Sequence, residues 1–146
     1  MSYLLDTNIL LRLVQKNSPM YVDTRKALQI LRDRQEKLYI VPQNLVEFWA
    51  VVTRPLAVNG LGLEVNEAKQ EVAILKQLFT LKPDTSDIFT VWESLVTNYR
   101  VVGKQTHDSR LVAAMIVHKI DSLLTFNTKD FQRFTEITAV SPLHLI

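Results

Sequence analysis

Cysteine is absent from the 146 residues, which excludes disulfides, thiolate metal ligands and a cysteine nucleophile. Long apolar runs are missing too: nowhere do about 18 consecutive apolar residues occur, so no membrane span is expected. The start, Met1-Ser2-Tyr3-Leu4-Leu5-Asp6, lacks the basic segment and apolar stretch of a signal peptide. A chain in the cytoplasm, with no membrane attachment, is therefore expected. Glycine is scarce at three residues, and none of them forms the glycine-rich loop that cradles phosphates. Strong charge of one sign is also lacking. A formal net charge of +2 is too small to announce a dedicated nucleic-acid binder, although it allows an acidic centre with a modestly basic rim.

What is present suits one globular domain over residues 1–146, since 47% of them are hydrophobic and a chain of this length buries a core without staples. Tyr3-Leu4-Leu5 reads as a buried strand, followed by Thr7 as an N-cap and a helix through Val14. Ala27, Leu28 and Leu31 form the apolar stripe of a surface helix within the segment from Val22 to Leu38. Leu38 to Val41 is a second strand, ended by Pro42. A helix from Asn44 to Arg54 presents Leu45, Phe48, Trp49 and Val52 at positions i, i+3, i+4 and i+7. After a glycine-containing loop from Leu56 to Leu63, Asn66 caps a helix reaching Phe79, and Ser86 to Tyr99 forms another. Thr106 caps a helix to Lys119, with Asp108 in its first turn. Ser122 to Thr125 and Ile137 to Val140 complete four strands. Strands alternating with helices predict an α/β fold with a central parallel sheet covered on both faces. Ligands of such sheets bind beyond the carboxyl ends of the strands.

Four acids stand in contexts that favour that edge. Asp6 follows the first strand, Glu47 sits in the helix after the second, Asp108 opens a helix, and Asp130 follows the strand through Leu124. Taken singly, each has an ordinary reading: an Asx turn for Asp6, a solvated helix residue for Glu47, a helix-dipole partner for Asp108, a turn for Asp130. Joint placement changes the argument. Two like charges about 4 Å apart at an effective dielectric near 20 repel by on the order of 4 kcal/mol, so converging carboxylates call for a cation. A hard divalent ion, Mg²⁺ or Mn²⁺, accepts such oxygen ligands. Bound beside a phosphodiester, it activates water and screens phosphate charge, which makes phosphodiester hydrolysis the expected reaction.

Leu4-Leu5-Asp6-Thr7-Asn8, Glu47, the run His107-Asp108-Ser109-Arg110-Leu111-Val112-Ala113-Ala114 and the run Leu124-Thr125-Phe126-Asn127-Thr128-Lys129-Asp130-Phe131 together resemble the PIN-domain nucleases. These include the VapC-type toxin ribonucleases of bacterial toxin–antitoxin pairs. The likeness spans essentially the whole chain and rests on the order and spacing of motifs that are individually weak. It implies a three-layer α/β/α sandwich and a Mg²⁺- or Mn²⁺-dependent endonuclease for single-stranded RNA. It further implies a homodimer and a cognate antitoxin, with contacts expected on the helices from Asn66 to Tyr99. Asp6, Glu47 and Asp108 match the family's three principal metal-site acids, and Asp130 matches a later fourth. Many members carry an acid where Asn127 stands here; its amide oxygen can coordinate or orient water without adding charge, which leaves one or two cations open. Thr7, Asn8, Thr125 and Asn127 are expected to support the carboxylates by hydrogen bonding. Lys104, His107 and Arg110 flank Asp108 as candidate phosphate contacts. Trp49 and Trp92 read as core residues rather than base-stacking platforms.

Two other functions compete. An aspartyl phosphatase of the haloacid dehalogenase type also places an aspartate after its first strand, but it wants a second acid two residues later, where Asn8 stands. A degenerate nuclease fold that binds RNA or protein without cutting is the stronger alternative.

Overall fold

The computed structural model describes residues 1–146. In chain order the elements are β1 (Ser2–Leu5), α1 (Thr7–Val14), α2 (Pro19–Asp33), β2 (Lys37–Ile40), α3 (Pro42–Thr53), α4 (Val65–Leu78), β3 (Thr80–Leu81), α5 (Ser86–Asn98), α6 (Gln105–His118), β4 (Ser122–Leu124) and β5 (Thr138–Val140). The five strands form one sheet in the order β3-β2-β1-β4-β5, every neighbouring pair parallel. Parallel pairs require crossovers, and the helices supply most of them.

Alternation along each strand divides the core in two. Tyr3 and Leu5 of β1, Leu38 and Ile40 of β2, and Leu124 of β4 face α1 to α4, packing with Ile9, Leu10, Leu28, Leu31, Phe48, Val52, Ala68 and Leu75. Leu4, Val41 and Leu123 face the other way, against Ile88 and Leu95 of α5 and Leu111 to Met115 of α6. A strand's period of two thus makes the three-layer sandwich, because consecutive side chains point to opposite faces. Burying a leucine such as Leu4 or Leu123 contributes about 1.5–3 kcal/mol, so both faces are held firmly. No helix is long and apolar enough to cross a membrane.

Several expected boundaries shift, each for a local reason. The cap of α1 is Asp6, whose carboxylate accepts from the Thr7 N–H at 2.8 Å, so Thr7 is the first helical residue instead of its cap. Helix α2 starts earlier than its apolar stripe, at the pair Ser18-Pro19: the Ser18 hydroxyl accepts from the Met20 N–H, and proline is pre-set for the first helical turn. Helix α4 is capped by Glu64, whose N–H donates to Glu67, displacing Asn66 from the role. Helix α6 begins at Gln105, and the Thr106 hydroxyl donates to the Gly103 carbonyl. Gly103 itself sits at φ +65°, the left-handed conformation that glycine adopts without strain. Strand β3 was not expected: its two residues are both exposed and carry no alternating apolar pattern. Only pairing with Tyr39 and Ile40 defines it.

Candidate active site

The carboxyl edge of the sheet is where β1 hands over to α1. Asp6 still belongs to the sheet through its N–H, which donates to the Leu124 carbonyl at 3.0 Å, while its side chain already caps the helix. That double duty buries it to 8% exposure. Its Oδ2 accepts from the Thr125 hydroxyl at 2.7 Å and from the Asn8 amide at 3.5 Å. Thr125 lies just past β4, beside Asp6 because β1 and β4 are paired in parallel register. The same hydroxyl oxygen accepts from Asn8 Nδ2 at 3.3 Å and from the Asn127 N–H at 2.9 Å.

On the other side of Asp6, the Thr7 hydroxyl donates to Glu47 Oε1 at 2.6 Å. Asn44 backs this contact, its amide donating to Thr7 Oγ1 at 3.4 Å while its Oδ1 accepts from the Val41 N–H at 2.9 Å. Glu47 Oε2 accepts from Gln43 Nε2 at 3.1 Å, and the same amide nitrogen donates to the His107 carbonyl at 2.8 Å. Gln43 Oε1 in turn accepts from Arg110 at 3.2 Å, and Arg110 pairs with Asp84 at 3.4 Å. One chain of contacts therefore runs from the end of β4, through the start of α1 and the first turns of α3, to the first turn of α6.

Asp108 and Asp130 complete the acidic edge by charge. Burial is the main force raising the Asp108 carboxyl to about 6, and the negative charges of Asp6, Asp130 and Glu47 push the same way against a small pull from Lys104. Asp6 also rises to about 6, driven chiefly by burial, with its hydrogen bonds from Thr125 and Thr7 opposing and the charges of Glu47 and Asp130 adding. Acids drawn from four separate segments thus share one field. No three acid or histidine side chains are already gathered into a cation cage. The donor set is nevertheless all oxygen, and neither of the molecule's two ion pairs involves Asp6, Glu47, Asp108 or Asp130. On both grounds these residues suit a hard divalent cation.

Among the other expected site residues, Lys104 and His107 are exposed, Arg110 is half-buried and engaged by Gln43 and Asp84, and Asn127 is exposed with its backbone tied to Thr125. The His107 imidazole makes no hydrogen bond; its backbone carbonyl does the connecting. Trp92 is half-buried and donates from its indole to the Thr106 carbonyl at 2.8 Å, pinning α5 to the start of α6. Trp49 is half-buried against the core face that carries Phe48. Three participants were missed: Gln43, Asn44 and Asp84. Gln43 was discoverable, since it lies four residues before Glu47 on the same helix face; Asn44 and Asp84 act through tertiary neighbours that no local spacing reveals.

Comparison with known proteins bears on the family and the fold. The PIN domain family model matches residues 3–137. Among solved structures, VapBC2 from Rickettsia felis bound to a DNA fragment from its promoter is similar at 17% identity and TM-score 0.74, covering 97% of this chain and 98% of that one. VapBC-1 from nontypeable Haemophilus influenzae is similar at 16% identity and TM-score 0.69, covering 98% and 99%. VapC20 from Mycobacterium tuberculosis, a sarcin-ricin loop cleaving toxin, is similar at 17% identity and TM-score 0.66, covering 90% and 95%. No curated protein sequence matches the chain. With a parallel sheet in the order β3-β2-β1-β4-β5 and a family model matching from within the first strand to the residue before the last strand, the chain belongs to the PIN domain family.

Proposed function

We propose that residues 1–146 act as one PIN-like nuclease domain: an endoribonuclease that hydrolyses phosphodiester bonds of single-stranded RNA with Mg²⁺ or Mn²⁺, serving as the toxin of a toxin–antitoxin pair in the cytoplasm. The observation that carries the proposal is the continuous set of contacts from Thr125 through Asp6, Thr7, Glu47 and Gln43 to the turn holding Asp108. The likeness to VapC20, described as a sarcin-ricin loop cleaving toxin, supports RNA as the substrate.

Asp6, Glu47, Asp108 and Asp130 are the acids that would hold the cation. When bound, that ion activates water and neutralises phosphodiester charge. The chain's own residues prepare for it. Thr125 and the Thr7 N–H each donate to a different oxygen of Asp6 and so fix its orientation; the Thr7 hydroxyl and Gln43 do the same for the two oxygens of Glu47. Thr125 also receives Asn8 and Asn127, which holds the loop after β4 against the carboxylates. Lys104, His107 and Arg110 stand around the first turn of α6, where a phosphate chain would lie, and supply positive charge and donors.

Surface chemistry supports the two proposed protein partners. A groove between α2 and α4 has an apolar floor that includes Leu13, Leu75 and Phe79, and its rim carries Arg25, Lys26 and Arg32 against the single acid Glu71. That imbalance suits an acidic amphipathic segment of an antitoxin. A second, charge-free patch of Leu45, Val46, Trp49 and Val72 suits a second copy of the chain, since identical apolar faces pair without charge conflict.

Purified protein tests the proposal. The expected result is that single-stranded RNA is cut with Mg²⁺ or Mn²⁺, that cutting stops with EDTA, and that the Asp6→Asn, Asp108→Asn double variant is inactive; cutting that survives in the double variant overturns the assignment. A second reading draws on the lack of a ready-made cation cage and on Asn127 in place of an acid: a PIN-fold module that binds RNA or protein without cleavage. RNA binding unaffected by metal, with no product, decides for it.

A further inference from the structure

Gln43 stands where two helices meet. It lies in the first turn of α3, four residues before Glu47, so that its side chain shares a helix face with that acid. Both amide hydrogens have a defined destination, one on Glu47 Oε2 at 3.1 Å and one on the His107 carbonyl at 2.8 Å. His107 immediately precedes Asp108. The remaining amide atom, Oε1, accepts from Arg110 at 3.2 Å, and Arg110 is braced by Asp84 at 3.4 Å. A neutral side chain thus spans from an acid on α3 to the backbone beside an acid on α6. It does this without adding charge to an edge that already gathers Asp6, Glu47, Asp108 and Asp130.

From this geometry we propose that Gln43 is a positioning residue that sets the separation between Glu47 and Asp108, with Arg110 acting through it. The inference rests on the nuclease reading above. Glutamine fits the role for three reasons. Glutamate in its place would put a fifth negative charge on the edge and would lose both donors. Lysine would attract Glu47 as a counter-ion and compete with a cation for it. Asparagine is one carbon shorter and would not reach both Glu47 and the His107 carbonyl from the same backbone position. Arg110 orients the amide, because a guanidinium on Oε1 excludes the flipped arrangement in which the amide nitrogen would face it.

The test uses the full chain with Gln43→Met, which keeps length and removes the hydrogen bonds, alongside Arg110→Met and the double variant. Mn²⁺ binding is titrated without RNA, by electron paramagnetic resonance, and cleavage is followed at saturating Mn²⁺. Supporting hydrogen bonds to metal ligands are typically worth about 10- to 100-fold in metal affinity or activity. The expected result for Gln43→Met is therefore Mn²⁺ affinity weaker by about tenfold and kcat lower by a similar factor, with KM for RNA unchanged. In the double variant the Mn²⁺ defect equals that of Gln43→Met alone, since residues sharing one network are not additive. Thermal unfolding without metal confirms that each variant is folded, and if Gln43→Met is not, Gln43→Leu takes its place. Unaltered Mn²⁺ affinity in a folded variant overturns the proposal while leaving the nuclease reading intact, as does a change confined to KM. A wild-type chain that neither binds Mn²⁺ nor cuts RNA overturns the nuclease reading and the proposal together.

Discussion

Thr7 and Glu47, forty positions apart, are joined by a 2.6 Å hydrogen bond from the threonine hydroxyl to Glu47 Oε1. The backbone N–H of the same threonine donates to Asp6, so one residue orients two acids from different elements. Its place as the first residue of α1 makes this possible: an N–H at a helix start has no partner within the helix, and the side chain is free to turn toward α3.

Replacing Thr7 by valine keeps shape and removes the hydroxyl. Glu47 loses one donor and Asn44 loses an acceptor, which should cost about 1–2 kcal/mol of stability. Cleavage should fall by about tenfold in kcat, while the Asp6 contact to the backbone survives. Chemical denaturation and single-turnover kinetics measure the two effects separately.

Asp6→Asn should abolish cleavage yet stabilise the metal-free fold. The Asp6 carboxyl titrates near 6 in the folded chain instead of 3.8, so the folded state holds the proton more tightly than the unfolded one. Its contribution to stability is complete below about pH 4 and is lost as pH rises through 6. Asparagine carries no charge to penalise. At pH 8 without metal the variant should be more stable than the wild type by on the order of 1–2 kcal/mol, part of the gain being offset by the lost acceptor for Thr125. The advantage should vanish by about pH 4, as urea titrations across that range would show.

Mn²⁺ should offset the cost of ionising the buried, mutually repelling carboxylates of the site. At pH 7.5 and a concentration about 100 times its dissociation constant, binding to the folded chain alone adds about 2.7 kcal/mol, read as a higher melting temperature. At pH 5 the rise should be smaller, because Asp6 and Asp108, both titrating near 6, are largely protonated and must lose protons to bind. A metal-induced shift that grows on acidification would contradict this account of the site.

Asn127→Asp should strengthen cation binding. The side chain is exposed at the end of the acidic edge, and its backbone is held by Thr125, so the substitution adds charge without disturbing the core. Calorimetric titration with Mn²⁺ should give a higher affinity or stoichiometry than the wild type. Identical isotherms would place position 127 outside the cation's reach.

Much of this site was legible in the sequence because β-strands and helices carry their signals locally. Asp6 after Tyr3-Leu4-Leu5, and Asp108 in the first turn of α6, could be placed from apolar periodicity alone. The expectation that Thr7, Asn8 and Thr125 support the acids comes from the family resemblance, and in the fold Thr7, Asn8 and Thr125 do hydrogen-bond to Asp6 or Glu47. Strand β3 was not legible, since Thr80 and Leu81 are exposed and owe their conformation to β2. In helix α6 every residue from Leu111 to Met115 is buried, Ala113 and Ala114 fully, while Ile116 is only partly so. Two neighbours, α5 and the sheet, cover that helix, so a single apolar stripe understates its burial.

Local pattern was sufficient for the order of every strand and helix except β3, for the parallel class of the sheet and for the edge at which the acids were expected, because the periods of 2 and 3.6 residues are properties of the backbone itself. Which partners the acids take was decided only by the packed chain. Gln43 meets His107 and Arg110 meets Asp84 because α3, α6 and the segment before α5 are brought to one edge by burying their apolar faces on the sheet. The hydrogen bonds that orient the carboxylates are consequences of that packing, and no spacing along the chain encodes them.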